Sequence, residues 1–435
     1  MKKSILSILL VFIMILVSCS NMDESKDDNK IEDNLNNEIN NDIEKDGEDD
    51  SIYHIYIDAD WDTECESSEI IELGIKTALY ENDYMLNGKK VKIIRVNHKT
   101  NPDIDLYNLQ NTIIKDEKTL AVFTGLHSPP IIANKDFINN NQILTLDPWA
   151  TGTTITRSYP SNWIFRLSID GKYAGKKIID YAFENKKNTK FAICVVDDEW
   201  GKSNIISMES RIKELNLNEP MIYEIPLHST ALELKGIIRE ISNNDMDSIL
   251  MIAHPSDSVV FVKAMSEVDE KYNLPILSYW SVTSKTFLDA FTDIDNENYF
   301  DISKVDLSFL QTKFTIIEDL IDFDDDFKNE ENDLCSEINK AEDIIQPQGF
   351  VHAYDLTKIL IEAANEVKLS GNAKKDKIKI HYALENLEHP VSGIIKTYNK
   401  PFSKYSTDND DAHEALDISD YIILKFDENG KVIEP

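Results

Sequence analysis

Glycine and proline are scarce in this chain, 13 of each among 435 residues, and cysteine is scarcer still, at four. So few breakers exclude a collagen-like or low-complexity protein, and four cysteines do not make a disulfide scaffold. Positive charge is also short: 45 Lys and Arg stand against 79 Asp and Glu, a formal charge of −34. Such a surface repels phosphate backbones, so nucleic acid is not expected as a partner. There is no HExxH, GxSxG or CxxC motif and no glycine-rich phosphate loop. The sequence therefore carries no metal or cofactor signature, and no enzyme is expected.

What is there begins with a targeting segment. Lys2 and Lys3 precede an apolar stretch, Ile5 to Val17, too short to span a bilayer comfortably and suited to a signal peptide over residues 1–19. It ends "LVSC", which resembles a bacterial lipobox and makes Cys19 the expected site of lipidation. Residues 20–51 hold thirteen acids and three lysines and almost no large apolar side chains. They are expected to be a disordered acidic tether. The protein is thus placed outside the cytoplasm, on a membrane it reaches through lipid. Cys65 and Cys335 are free to pair in such a compartment.

From residue 52 apolar runs alternate with amphipathic ones. "IYHIYI", "KVKIIRV", "TLAVFTG", "QILTL" and "NWIFRL" read as strands, followed by "KFAICVV", "MIYEIP", "SILMIA" and "PILSY". Helical stretches are expected at 67–80, 103–115, 131–139, 173–184, 203–215, 232–242 and 258–268. Continuous apolar strands between such helices indicate parallel sheets covered on both faces. Length and two such series indicate an α/β protein of two doubly wound lobes with a ligand cleft between them. The expected boundaries are 52–169 with 300–392 for the first lobe, and 170–299 with 393–435 for the second.

Ligands in such sheets sit beyond the carboxyl ends of the strands. Trp61, Trp149, Trp200 and Trp280 each follow a strand-like run, which points to a shared aromatic wall; Trp163 opens one instead. Asp58, Asp60 and Asp170 fall near the same edge and would favour a cation. "DFDDDFKNEEND" (322–333) has acids at calcium-loop spacing but Phe327 where the turn glycine belongs. With twelve acids and two lysines, residues 318–343 read as a solvated acidic insertion, and no metal site is assigned.

The segments "LYENDYMLNGKKVKIIRVNHKTNPDIDLYNLQNTIIKDEKTLAVFTGLHS", "QILTLDPWATGTTIT", "FRLSIDGKYAG", "VVDDEWGKS" and "QGFVHAYDLTKILIEAANEV", in this order, resemble the leucine/isoleucine/valine-binding family of solute-binding proteins. The resemblance runs from about residue 53 onward. It implies two lobes closing on a small solute, which an ABC importer's permease then receives. It also implies ligand contacts from Ser128 (with Pro129 as the other alignment), from Trp149, Ala150 and Thr151, and from the aromatic position Trp200. His254 replaces a frequent tyrosine. Trp280 stands where amino-acid binders keep an acid for the ligand's ammonium, so an aromatic or quaternary-ammonium solute is expected rather than leucine. Truncating Trp280 is expected to remove affinity and spare the fold. A lipoprotein that presents its solute to a signalling receptor, or a surface protein reusing the fold, would show the same residues.

Overall fold

The computed structural model describes residues 52–157, 161–314, 344, 346–427 and 430–435. Cys19, the 20–51 segment, Cys335 and the 318–343 stretch lie outside these residues. Cys65 is disulfide-bonded.

Six strands make the first sheet: β1 (Ile52–Ala59), β2 (Met85–Leu86), β3 (Lys89–Asn97), β4 (Thr119–Thr124), β5 (Thr145–Asp147) and β6 (Ile164–Arg166). Their order is β2-β3-β1-β4-β5-β6, all parallel except the β2–β3 hairpin. β1 is buried on both faces. Tyr53, Ile55 and Ile57 enter one apolar cluster and Tyr56 another, the two-residue period of a strand sandwiched between helices. One covering layer pairs α1 (Cys65–Tyr80) with a late helix, Pro347–Asn365, from the far side of the second lobe. Gly74 marks their closest approach, since a Cβ there would meet the Phe350 carbonyl oxygen at 2.4 Å.

The second sheet contains β7 (Phe191–Val196), β8 (Met221–Ile225), β9 (Ser248–Ile252), β10 (Ile276–Ser278), β11 (Leu307–Thr312), β14 (Tyr421–Phe426) and β15 (Val432–Ile433). Its order is β15-β14-β11-β10-β9-β7-β8. The strands are parallel up to β11; β14 then adds antiparallel, and β15 pairs antiparallel with it. Two parallel-dominated sheets with helices on both faces make the α/β, two-lobed architecture that the alternating pattern predicts.

The lobe boundaries differ from the expected ones. β11 belongs to the second sheet, so the chain does not return to the first lobe at residue 300 but only after Thr312. Nor does it leave the first lobe at 393. The hairpin of β12 (Val391–Ser392) and β13 (Thr397–Tyr398) stays beside the helix Pro347–Asn365, where the Tyr398 hydroxyl donates to Asp355 at 2.7 Å. The reason is pairing: β11 is held by β10 on one edge and β14 on the other. The chain crosses between lobes at 167–170, between 313 and 346, and at 399–420.

The first and third crossings lie side by side. Arg166 N donates to His413 O and Ala415 N to Arg166 O, both at 2.9 Å, extending the first sheet by one bridge. Around this bridge sits a buried ion network. The Arg166 guanidinium is 0% exposed and grips Glu414 through Nε at 2.8 Å and Nη2 at 2.7 Å, with Asp170 Oδ1 at 3.0 Å. Arg157 pairs with Asp170 and Asp411 from the other side. These cations satisfy carboxylates that would otherwise be costly to bury.

Candidate functional site

The carboxyl ends of both sheets face a cleft lined by residues of both lobes, the kind of place where small molecules bind in open α/β sheets. Its floor is the turn after β5. Asp147 is fully buried, and its Oδ1 accepts from Trp149 N at 3.0 Å and Ala150 N at 2.7 Å, an Asx turn that a proline at 148 leaves room for. Arg166 Nη1 then ties down the carbonyls of Ala150 and Gly152, at 3.2 and 2.8 Å. The Trp149 carbonyl accepts from Ser168 Oγ at 2.9 Å and the Thr151 carbonyl from Gly171 N at 2.8 Å. The floor is therefore clamped to the first crossing.

Asp147 Oδ2 has no partner among the described residues. Burial pushes its carboxyl up to about 7 from an ordinary 3.8, with Arg166 pulling the other way. As pH rises through this window the unfolded carboxyl ionises while the buried one does not, so burial costs progressively more stability until about pH 7. Asp147→Asn keeps an acceptor and removes the charge. Its unfolding free energy relative to the natural protein is expected to climb by up to about 1.4 kcal/mol per pH unit across that window. Urea unfolding at several pH values checks this; a flat difference would contradict it.

The walls are aromatic and come from both lobes. Trp149 of the first lobe meets Trp280 of the second, ring centroids 4.9 Å apart. Trp200, in the first turn after β7, stacks on His254 at 4.9 Å, and His254 meets His127 edge-on at 5.2 Å. Asp198 organises this wall twice: Oδ1 caps the helix at Gly201 N (2.7 Å) and Oδ2 holds His254 Nε2 (2.8 Å). His127 has φ 80°, uncommon for a non-glycine residue, at the N-cap of the helix Ser128–Asn140. Burial holds its imidazole down at about 3, so it is neutral at pH 7.

Thr151 is a bridge between lobes. Its hydroxyl oxygen accepts from Trp200 Nε1 at 2.6 Å and keeps its own proton to donate. Thr151→Val would strand a buried indole N–H at a cost of about 1–3 kcal/mol, weakening ligand binding roughly five- to 150-fold. Tryptophan-emission titration measures it, and unchanged affinity would remove Thr151 from the site. Ser128 Oγ accepts from Gly152 N at 3.0 Å, joining the helix start to the floor.

The cleft brings together Ser128, Trp149, Ala150, Thr151, Trp200, His254 and Trp280, seven of the nine residues read from the sequence. Trp61 and Asp170 do not line it. Trp61 Nε1 donates to Val96 O at 2.9 Å and Arg95 lies 4.3 Å over its ring, so it packs on the sheet's flank. Asp170 is fully buried as the N-cap of the helix Gly171–Glu184 and is paired with both hinge arginines. Asp58 is enclosed with Asp105 and Asn108, and Asp60 accepts from Thr63 and Thr100. None of these acids lines the cleft. Lining residues not anticipated are Glu64, Ser67, His127, Pro255, Ser281, Gln346 and Gln348. Glu64 and Ser67 follow β1, and the rule that placed the tryptophans also covers that turn. Gln346 and Gln348 stand at the start of the helix Pro347–Asn365, away from the strand ends that flag the tryptophans. His352 stands behind Trp280: Nδ1 donates to Pro148 O at 3.1 Å, so Nε2 accepts from Thr312 Oγ1 at 2.8 Å.

A family model described as "Periplasmic binding protein" matches residues 70–290, just over half of the chain. Among curated sequences no significant relative is found. The fold is similar to that of a type 1 periplasmic binding protein from Bordetella pertussis Tohama I, with TM-score 0.69 and 14% identity over 88% of this chain and 99% of that one. It is similar to an R. palustris ABC-transporter solute-binding protein in complex with benzoate, at TM-score 0.66 and 14% identity over 88% and 95%. It is also similar to the branched-chain amino acid transporter protein LivJ of Streptococcus pneumoniae in complex with isoleucine, at TM-score 0.64 and 15% identity over 88% and 97%. The two lobes, the cleft between them and the family match agree: this chain belongs to the periplasmic binding protein family, in its type I form.

Proposed function

We propose that the protein is an extracytoplasmic receptor that captures a small organic solute between its lobes and delivers it to the permease of an ABC importer. The observation that carries this is the cleft itself, whose walls are shared between lobes and joined by direct contacts such as Thr151 to Trp200. A solute seated there binds both halves at once and favours their closed arrangement. The solved neighbours with benzoate and isoleucine support the reading. Lipid on Cys19 would hold the receptor at the membrane.

The test is mass spectrometry of small molecules released from natively purified protein, followed by adding the molecule back. It should change tryptophan emission, because the cleft walls include three indoles. Absence of any released molecule or emission change would count against solute capture. Cys19→Ala tests the anchor separately, and membrane attachment unchanged from the natural protein would remove it.

A further inference from the structure

The charge lining the cleft is one-sided. Among the described residues that line it no lysine or arginine appears, and Glu64 is the one carboxylate. His127 does not supply a cation, because burial keeps it neutral. His254 is held by Asp198 at 2.8 Å. Glu64 makes no ion pair among the described residues; its contact is Ser67 Oγ at 3.4 Å. Burial, and then the neighbouring Asp60, disfavour its ionised form, with His254 and Ser67 acting the other way. An acid with no ion pair of its own among the described residues, beside an aromatic cleft, is stabilised by a cation that enters. An entering carboxylate would face Glu64 with no lysine or arginine among the described lining residues to receive it. The indoles of Trp149, Trp200 and Trp280 add attraction for the same charge and for a flat ring.

Resting on the solute-capture reading above, we propose that the solute is an aromatic molecule carrying a protonated or alkylated nitrogen, with Glu64 as its counter-charge. The cleft would then select against the carboxylate-bearing ring seen with one of the solved neighbours. Selection comes from Glu64 rather than from the position that Trp280 occupies, so the charge partner is supplied by the opposite lobe.

Four probes that share one ring isolate the charge: benzylamine, benzyltrimethylammonium, benzyl alcohol and benzoate, titrated calorimetrically into the full chain. The two cations should bind at least about tenfold more tightly than the alcohol or the acid. In Glu64→Gln that preference should fall to about threefold or less, with no fall in the thermal midpoint. Benzoate binding as tightly as benzylamine, or a cation preference that survives Glu64→Gln, overturns the proposal while leaving solute capture standing. The same holds if none of the four binds and the natively bound molecule proves to be an acid. If no probe binds and no small molecule is released, both readings fall together.

Discussion

Arg166→Met is expected to destabilise the protein by about 3–5 kcal/mol, the cost of removing one partner from a buried ion pair. The side chain is wholly buried and holds Glu414 through two nitrogens, Asp170 through one and the cleft-floor carbonyls of Ala150 and Gly152. Without it Glu414, which burial already pushes toward its neutral form, keeps the Thr156 hydroxyl and, at 3.8 Å, Arg157. Urea unfolding followed by tryptophan emission measures the loss. The double variant Arg166→Met with Glu414→Leu should recover much of it, because both charges leave together. A single variant within about 1 kcal/mol of the natural protein would mean that the network is not what stabilises the crossings. Affinity should fall as well, since the floor loses its clamp.

Trp280→Ala is expected to cost both binding and stability. The sequence reading treats this indole as a wall whose loss spares the fold, but it is 5% exposed and packs on Trp149 and His352 of the opposite lobe. Deleting a buried indole costs about 3–5 kcal/mol, part of it borne by the contact between lobes. Ligand affinity should drop by about thirtyfold or more. Trp61→Ala provides the contrast, because that ring packs against Arg95 away from the cleft and should leave affinity unchanged. Equal effects from the two variants would undo the assignment of Trp280 to the site.

The sheets were legible because their strands are buried on both sides and therefore read as unbroken apolar runs, "FAICVV" above all. Trp149, Trp200 and Trp280 were legible for a related reason: each follows a strand whose carboxyl end opens on the cleft. Trp61 obeys the same rule of position and fails it in orientation, since Arg95 and the Val96 carbonyl draw the ring to the flank. The place of Asp170 is not legible because Arg157 joins it to Asp411, and the Arg157–Asp411 contact is made across 254 residues that no local pattern encodes. The lobe to which β11 belongs is hidden on similar grounds. Its run "LSFLQT" says strand, but only its pairing with β14 says which sheet.

That pairing also sets an order in time. When residues 171–312 have been synthesised, the second lobe has five parallel strands, and the outer edge of β11 waits for β14. Every residue of β11 is buried in the finished protein, so the waiting edge is an unpaired template to which another chain can add. The first lobe waits too, because the helix Pro347–Asn365 that covers α1 is made after the second lobe has begun. Each half is completed by chain that emerges after the other has started, so the halves mature together rather than in sequence. A chain cleaved between 313 and 346 would accordingly yield two sticky fragments in place of one working lobe.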